Sequence, residues 1–92
     1  MAPESGVNML EHEMLAEMAA SLGRAGERAE ICLARLGQVA RESPERTRLL
    51  KEAAAAVHAY FIQRELCGLR RHDDVIRDLR IPGQVLARLG AL

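Results

Sequence analysis

Residue types that favour β-sheets are scarce in this chain of 92 residues. Tryptophan is absent, and phenylalanine and tyrosine occur once each, at Phe61 and Tyr60. The composition is instead rich in alanine, leucine, arginine and glutamate, which are strong helix formers. We therefore predict an all-α protein. On length it is a single domain over residues 1–92, near the lower end of the size at which one chain buries a stable core.

Cysteine is also scarce. Cys32 and Cys67 are the only two, too few for a disulfide framework or a structural zinc site of their own. We expect both to be small core residues, and a Cys32–Cys67 bridge stays open as an alternative. The sequence lacks the Glu-x-x-His and His-Glu-x-x-His motifs, and the neighbours Glu11, His12 and Glu13 diverge around a helix. We therefore expect no metal ion and no cofactor.

The chain has no excess of either charge. Its 13 basic residues balance its 13 acidic residues, so there is no positive stripe to bind nucleic-acid phosphates. No run approaches the roughly 18 consecutive apolar residues that cross a bilayer. Glutamates interrupt the N-terminal segment where a signal peptide would be apolar. These absences predict a cytoplasmic protein that binds neither a membrane nor nucleic acid.

One segment is apolar almost throughout. Residues 53–62 read Ala-Ala-Ala-Ala-Val-His-Ala-Tyr-Phe-Ile, with His58 as the one strongly polar side chain. A helix that is apolar on all sides must be surrounded by other helices or by another subunit. We therefore predict that this segment is the centre of the fold and is covered on every side.

The first predicted helix follows a loose leader over residues 1–7. Asn8 is a suitable N-cap, and Glu11 stands three residues later, an arrangement close to a capping box. Glycines at positions 23 and 26 indicate either a kink or the close approach of a neighbouring element. Small and apolar residues recur at spacings of three and four, which is typical of helices packed side by side. They are Leu10, Met14, Met18, Leu22, Ala25, Ala29, Cys32, Leu36 and Val39.

The second predicted helix begins at a strong start signal, Ser43-Pro44-Glu45, with a capping serine and a proline at the first helical position. The first helix must then end near Arg41, and a link of two or three residues favours an antiparallel hairpin. Gly68 is suited to end the second helix near Cys67. Two short helices complete the chain. They span residues 73–79 and 83–89, and Gly90 stops the last one.

Unequal helix lengths predict how the protein assembles. At about 1.5 Å per residue the first helix is roughly 50 Å long and the second roughly 35 Å, so the first overhangs. The two short helices should fold over this overhang and leave part of the second helix bare. Because each bare large apolar side chain forfeits roughly 1.5–3 kcal/mol, we expect a homodimer whose two hairpins form a four-helix core. Its core or interface residues are Val57, His58, Phe61 and Ile62.

Only the polar turn from Gln63 to Asp78 resembles a functional site. It combines a histidine that could act as a general base with carboxylates and several guanidinium groups. The same residues can equally serve as helix caps and surface ion pairs, and we favour this structural interpretation. The residues that would bind a ligand or partner here are Arg64, Arg70, Arg71, His72 and Asp74.

Two long stretches form recognisable strings. They run from Glu11-His12-Glu13 to Ser21-Leu22-Gly23-Arg24-Ala25-Gly26, and from Tyr60-Phe61-Ile62-Gln63-Arg64-Glu65 to Ile81-Pro82-Gly83-Gln84-Val85-Leu86-Ala87-Arg88-Leu89-Gly90. Together they resemble a family of small bacterial proteins known only as a domain of unknown function. The resemblance covers nearly the whole chain and implies a bacterial, cytoplasmic, stand-alone helical protein. It carries no catalytic residue across.

The sequence thus predicts a non-enzymatic homodimer that serves as an interaction or regulatory module for another protein. One alternative is a nucleic-acid-associated regulator of the antitoxin type, because the chain ends in a helix, a short turn and a helix. Only Gln84 and Arg88 of the last helix could contact bases, which does not favour it. A third alternative is a small enzyme that uses His72 within a deep pocket.

Overall fold

The computed structural model describes residues 5–89, which form four α-helices and no β-strand. The helices are α1 (Ser5–Gly37), α2 (Arg46–Leu66), α3 (Asp73–Asp78) and α4 (Gly83–Leu89). α1 and α2 pack together as an antiparallel hairpin, and α4 packs against α2. The predicted all-α fold, with a long hairpin and two short C-terminal helices, is confirmed. The predicted stop at Gly90 lies outside the described residues, as do residues 1–4 of the predicted leader.

Helix α1 is shifted towards the N-terminus relative to the prediction. Residues 5–7, expected in a loose leader, are helical, so Asn8 is not the N-cap. At the other end the helix stops at Gly37 rather than near Arg41, and Gln38 and Val39 form tighter turns with the carbonyls of Arg35 and Leu36. Helix ends are the least certain part of any sequence-based assignment, since several residues can serve as caps. The helix is continuous through positions 23 and 26.

The link between α1 and α2 spans residues 38–45 and is longer than expected. Ser43 Oγ accepts a hydrogen bond from the backbone N–H of Glu45 at 3.2 Å, and the Ser43 carbonyl accepts one from Arg46 at 3.0 Å. Ser43 therefore organises a turn that precedes the helix. Glu45 is the N-cap, two residues later than predicted. Its carbonyl accepts the N–H of Leu49 at 3.0 Å.

Two helices end in the same left-handed turn. Gly68 has a φ of 89°, its N–H donates to the Glu65 carbonyl at 3.0 Å, and the N–H of Leu69 donates to the Arg64 carbonyl at 2.9 Å. This is a Schellman motif, as the glycine predicts. After α3 the equivalent position is held by Arg80, whose φ of 52° is uncommon for a residue other than glycine.

The core lies where α2 meets α1 on one side and the C-terminal segment on the other. Its residues are Ala29, Cys32, Leu36, Leu49, Ala53, Ala54, Ala56, Val57, Phe61, Val75, Ile81 and Val85. Within one protomer residues 53–62 are not covered on every side, because Ala55, His58, Ala59 and Ile62 are exposed. An alanine-rich helix has an apolar composition all round, yet an exposed alanine costs little. The sequence therefore could not show which side lies open.

The two short helices do not fold over the overhang of α1, contrary to prediction. They run back along α2 towards the link, where Arg46 Nη2 donates a hydrogen bond to Gln84 Oε1 at 2.8 Å. Val85 is fully buried there. The N-terminal part of α1 is consequently bare, and four of its large apolar side chains are 61–64% exposed. They are Met9, Leu10, Met14 and Leu15.

The cysteines do not form the bridge considered above. Cys32 is buried, Cys67 is half-buried, and both thiols are free. None of the helices within residues 5–89 combines the length and the apolar character needed to cross a membrane.

Tyr60 of α2 packs closely against Gly26 of α1. A Cβ atom there would lie 3.1 Å from Cε1 and 3.2 Å from Cζ of Tyr60, whereas a Cβ at Gly23 would meet nothing within 4 Å. Of the two explanations offered by the sequence, close approach holds at Gly26. The approaching group is an aromatic ring.

This contrast predicts opposite responses to substitution at the two glycines. Gly23→Ala should raise the free energy of unfolding by about 0.5–1 kcal/mol, because alanine favours the helix and the site is open. Gly26→Ala should gain less, and Gly26→Leu should destabilise by about 1–3 kcal/mol by displacing Tyr60. Urea denaturation at one protein concentration measures all three. Equal stabilisation by both alanines would contradict the close fit.

Candidate functional site

The polar turn is folded around one buried arginine. Arg64, in the last turn of α2, is 8% exposed. Its Nε donates to Nδ1 of His72 at 3.1 Å, and its Nη2 donates to the carbonyl of Arg71 at 2.8 Å. The same Nη2 lies 3.6 Å from Asp74 Oδ1, and the guanidinium carbon is 5.9 Å from the centre of the Tyr60 ring. The arginine thus ties the turn after α2 back onto the helix.

Both ring nitrogens of His72 are engaged. A guanidinium can only donate, so Nδ1 must accept and the ring proton must reside on Nε2. Nε2 then donates to Glu65 Oε2, 2.9 Å away. The ring stacks on Phe61, with centroids 4.1 Å apart and planes within 4°. The imidazole is therefore oriented by three neighbours and has no free nitrogen with which to take a proton from a substrate.

The other residues predicted for this site are less constrained. Asp74 is largely exposed, and its Oδ1 accepts the N–H of Val75 at 2.8 Å. Arg70 and Arg71 are exposed, and Arg71 contributes its carbonyl to the network. They line an open groove with Asp73, Asp74 and Arg77, so the groove carries charges of both signs. The structure thus brings Arg64, His72 and Asp74 together, and leaves Arg70 and Arg71 at the rim.

Nothing in the described part of the chain forms a metal centre. No group of three or more histidine, cysteine, aspartate or glutamate side chains within residues 5–89 could hold an ion. The polar side chains of the turn instead form hydrogen bonds with one another and with its backbone.

A second candidate surface is the side of α2 that faces away from α1 and α4. We call it the α2 open face. It comprises Ala55, His58, Ala59, Ile62 and Leu66, all exposed. Their spacing of three and four places them on one stripe of the helix. Lys51 precedes this stripe and Glu65 lies beside its last residue, and each is seven residues from His58.

The four residues predicted for the core or interface divide between the core and the α2 open face. Val57 and Phe61 are buried within the protomer. His58 and Ile62 lie on the α2 open face and are exposed. The division follows helical geometry, because adjacent residues point about 100° apart and a wholly apolar run does not reveal which row is covered.

A third surface was expected to be covered, with its methionines in the core rather than on a face that binds a partner. It is the α1 overhang, defined here as residues 8–17, every one of which is exposed. It presents large apolar side chains and three glutamates, Glu11, Glu13 and Glu17, and the first basic residue of the chain is Arg24. The unequal helix lengths signalled the overhang, but not that it would stay bare.

The buried arginine predicts a graded response to substitution. Arg64→Ala should lower the free energy of unfolding by about 2–4 kcal/mol, because two acceptors lose their donor and packed carbons are removed. The free energy of unfolding of Arg64→Lys should lie between those of the parent and Arg64→Ala, since an ammonium cannot bridge both acceptors. The control Asp74→Asn keeps an acceptor for Val75 and should cost less than about 1 kcal/mol, as its carboxylate is exposed. Urea denaturation that finds Arg64→Ala as stable as the parent would contradict the assigned role.

Comparison with known proteins gives a family and no activity. No curated protein and no solved structure matches the chain. A family model matches residues 1–92, the full length of the sequence, and is described only as a family of unknown function. The resemblance to a domain of unknown function is thereby confirmed, and it assigns no role to any residue. The chain belongs to the family of unknown function DUF6665.

Proposed function

We propose that the protein is a non-enzymatic helical module of the bacterial cytoplasm that binds another protein as a two-fold symmetric homodimer. In this proposal the α2 open face joins the two copies, so that the hairpins form a four-helix core. The observation that carries it is an exposed apolar stripe with Lys51 before it and Glu65 near its end, each seven residues from His58.

The apolar stripe supports close packing of a second helix. Ile62 is 44% exposed, and Leu66 is more exposed still. Fully burying a side chain of this size contributes roughly 1.5–3 kcal/mol. The small side chains of Ala55 and Ala59 leave room for the backbone of a neighbouring helix to approach. The stripe residues recur at spacings of three and four, as they do where two helices pack side by side. A two-fold dimer would bury each of these residues twice.

The flanking charges favour an antiparallel pairing centred on His58. In a two-fold dimer, a residue before the axis meets the residue that lies equally far beyond it in the other copy. Lys51 and Glu65 stand in this relation and lie on the same edge of the stripe, so Lys51 would meet the partner's Glu65, and this contact would occur twice. A parallel pairing would set like charges against each other instead.

Arg48, which precedes the stripe, is already paired within the protomer. Arg48 donates to Glu52 at 3.0 Å and to Glu45 at 3.1 Å. The hydrogen bond to Glu52, and to a lesser extent the one to Glu45, raises the pKa of Arg48 above its ordinary value. Lys51 is therefore the basic group available at that end of the stripe. At the other end, Arg70 lines an open groove with Ile62, Glu65 and Leu66. Glu65 uses Oε2 for His72, which leaves Oε1 for a second partner.

The two alternative functions have less support in the geometry. Gln84, one of two side chains on α4 that could contact bases, accepts a hydrogen bond from Arg46. The other, Arg88, is half-buried. An enzyme that depends on His72 would need a free ring nitrogen, and both are engaged. A mobility shift that weakens steeply with salt would favour the antitoxin-type alternative.

Charge reversal tests the proposed dimer. The parent should sediment as a dimer at micromolar concentration. Lys51→Glu and Glu65→Lys should each raise the dissociation constant by about tenfold, because both contacts then oppose like charges. An equimolar mixture of the two variants should restore dimers, since each contact between different variants joins opposite charges. Sedimentation equilibrium and native mass spectrometry measure the species present.

Matched controls separate association from folding. Ile62→Asp should raise the dissociation constant by about a hundredfold, whereas Ile31→Asp, at a residue with nearly the same exposure on α1, should leave it unchanged. Glu65→Gln keeps an acceptor for His72, and circular dichroism checks the helical content of each variant. A monomeric parent at micromolar concentration, or a mixture that stays monomeric, would refute the proposal.

A further inference from the structure

We propose that the α1 overhang is the docking site for a basic amphipathic helix from a different protein. The inference rests on the proposed function, because it names the partner-binding surface of the module. It does not need the dimer, since the overhang lies beyond the end of α2 and away from the α2 open face.

The shape of the overhang calls for a helix. α1 is one continuous helix from Ser5 to Gly37, so the face that packs against α2 continues beyond the end of α2. Met18 is the last half-buried residue on this face, and Leu15 and Met14 follow it at spacings of three and four towards the N-terminus. A helix in line with α2 would find there the same arrangement of ridges and grooves that α2 itself occupies.

Several large apolar side chains of the overhang lie close together and are mostly exposed to solvent. Leu10, Met14 and Leu15 are each at least 61% exposed and lie within two turns of the helix. Contiguous exposed apolar surface of this kind marks an interaction site more often than single exposed residues do. The methionines can adapt their long unbranched side chains to the shape of a partner.

Charge selects the kind of helix. Glu17 is paired with Arg24 at 3.0 Å, while within residues 5–89 neither Glu11 nor Glu13 has an ion-pair partner. The overhang carries no lysine or arginine of its own. Lysine or arginine beside the apolar stripe of an incoming helix would therefore meet the carboxylates of Glu11 and Glu13. This complementarity would speed the encounter as well as favour the complex.

The same charges disfavour two other occupants. A second copy of this chain would bring another Glu11 and Glu13 to the surface, and like charges would oppose each other. A membrane of acidic lipids would be repelled, because surface-binding helices carry basic residues on their polar face. A foreign basic helix is the occupant that both the apolar stripe and the carboxylates favour.

Fluorescence anisotropy with labelled synthetic peptides tests the inference. The probe is an eighteen-residue helical peptide of leucine and lysine with an apolar stripe, and its counterpart carries glutamate in place of lysine. At about 150 mM salt, where surface charges are already screened beyond roughly 8 Å, the basic peptide should bind and the acidic one should not. Leu10→Ser/Met14→Ser and, separately, Glu11→Gln/Glu13→Gln should each weaken binding by about tenfold or more.

Charge-matched controls decide whether the site is the overhang. Glu27→Gln/Glu30→Gln removes the same charge from exposed positions of α1 outside the overhang and should leave binding unchanged. The experiment is repeated in Ile62→Asp, where binding should persist at one peptide per chain even if the dimer is lost. Retained binding together with a monomeric parent would refute the dimer alone. Equal losses in both glutamine pairs, binding of the acidic peptide, or preference for vesicles of acidic phospholipid would overturn the docking site.

Discussion

The guanidinium of Arg64 governs the course of the chain after α2. It is buried at the end of the hairpin, and a buried charge is tolerated only when its donors find acceptors. The Arg71 carbonyl and His72 Nδ1 are those acceptors, and both lie beyond the left-handed turn at Gly68. Once they are bound, His72 stacks on Phe61 and α3 begins beside α2. The C-terminal helices then return along α2.

That reversal determines which surfaces the protein leaves bare. By returning along α2, α4 covers Val57 and its neighbours and completes the core with Val85. The N-terminal part of α1 receives no cover as a consequence. In a chain this short, one segment of seven residues cannot cover two separate apolar surfaces. The direction taken by the C-terminal helices therefore leaves both the α1 overhang and the α2 open face exposed. They lie in different parts of the molecule, so a dimer built through one would display the other twice, which raises the avidity for a partner with two sites.

Local signals in the sequence were sufficient for the elements and insufficient for their arrangement. Gly68 marked the end of α2 and Asp73 the start of α3, because these depend on a few neighbouring residues. The direction taken by α3 and α4 depends on the bonds of Arg64 to residues seven and eight positions away. In sequence, the same residues read equally well as caps and surface ion pairs. The exposed side of α2 was hidden for a related reason, since four alanines in succession make every face of a helix look equally apolar.

The contact between Tyr60 and Gly26 gives the molecule an optical label of its own. The chain holds one tyrosine and no tryptophan, so its near-ultraviolet emission comes from a single phenol, undiminished by energy transfer to an indole. That phenol packs against Gly26 of α1, and its ring centre lies 5.9 Å from the Arg64 guanidinium carbon. Its fluorescence and near-ultraviolet dichroism therefore report on the closed hairpin at one defined position, without any dye.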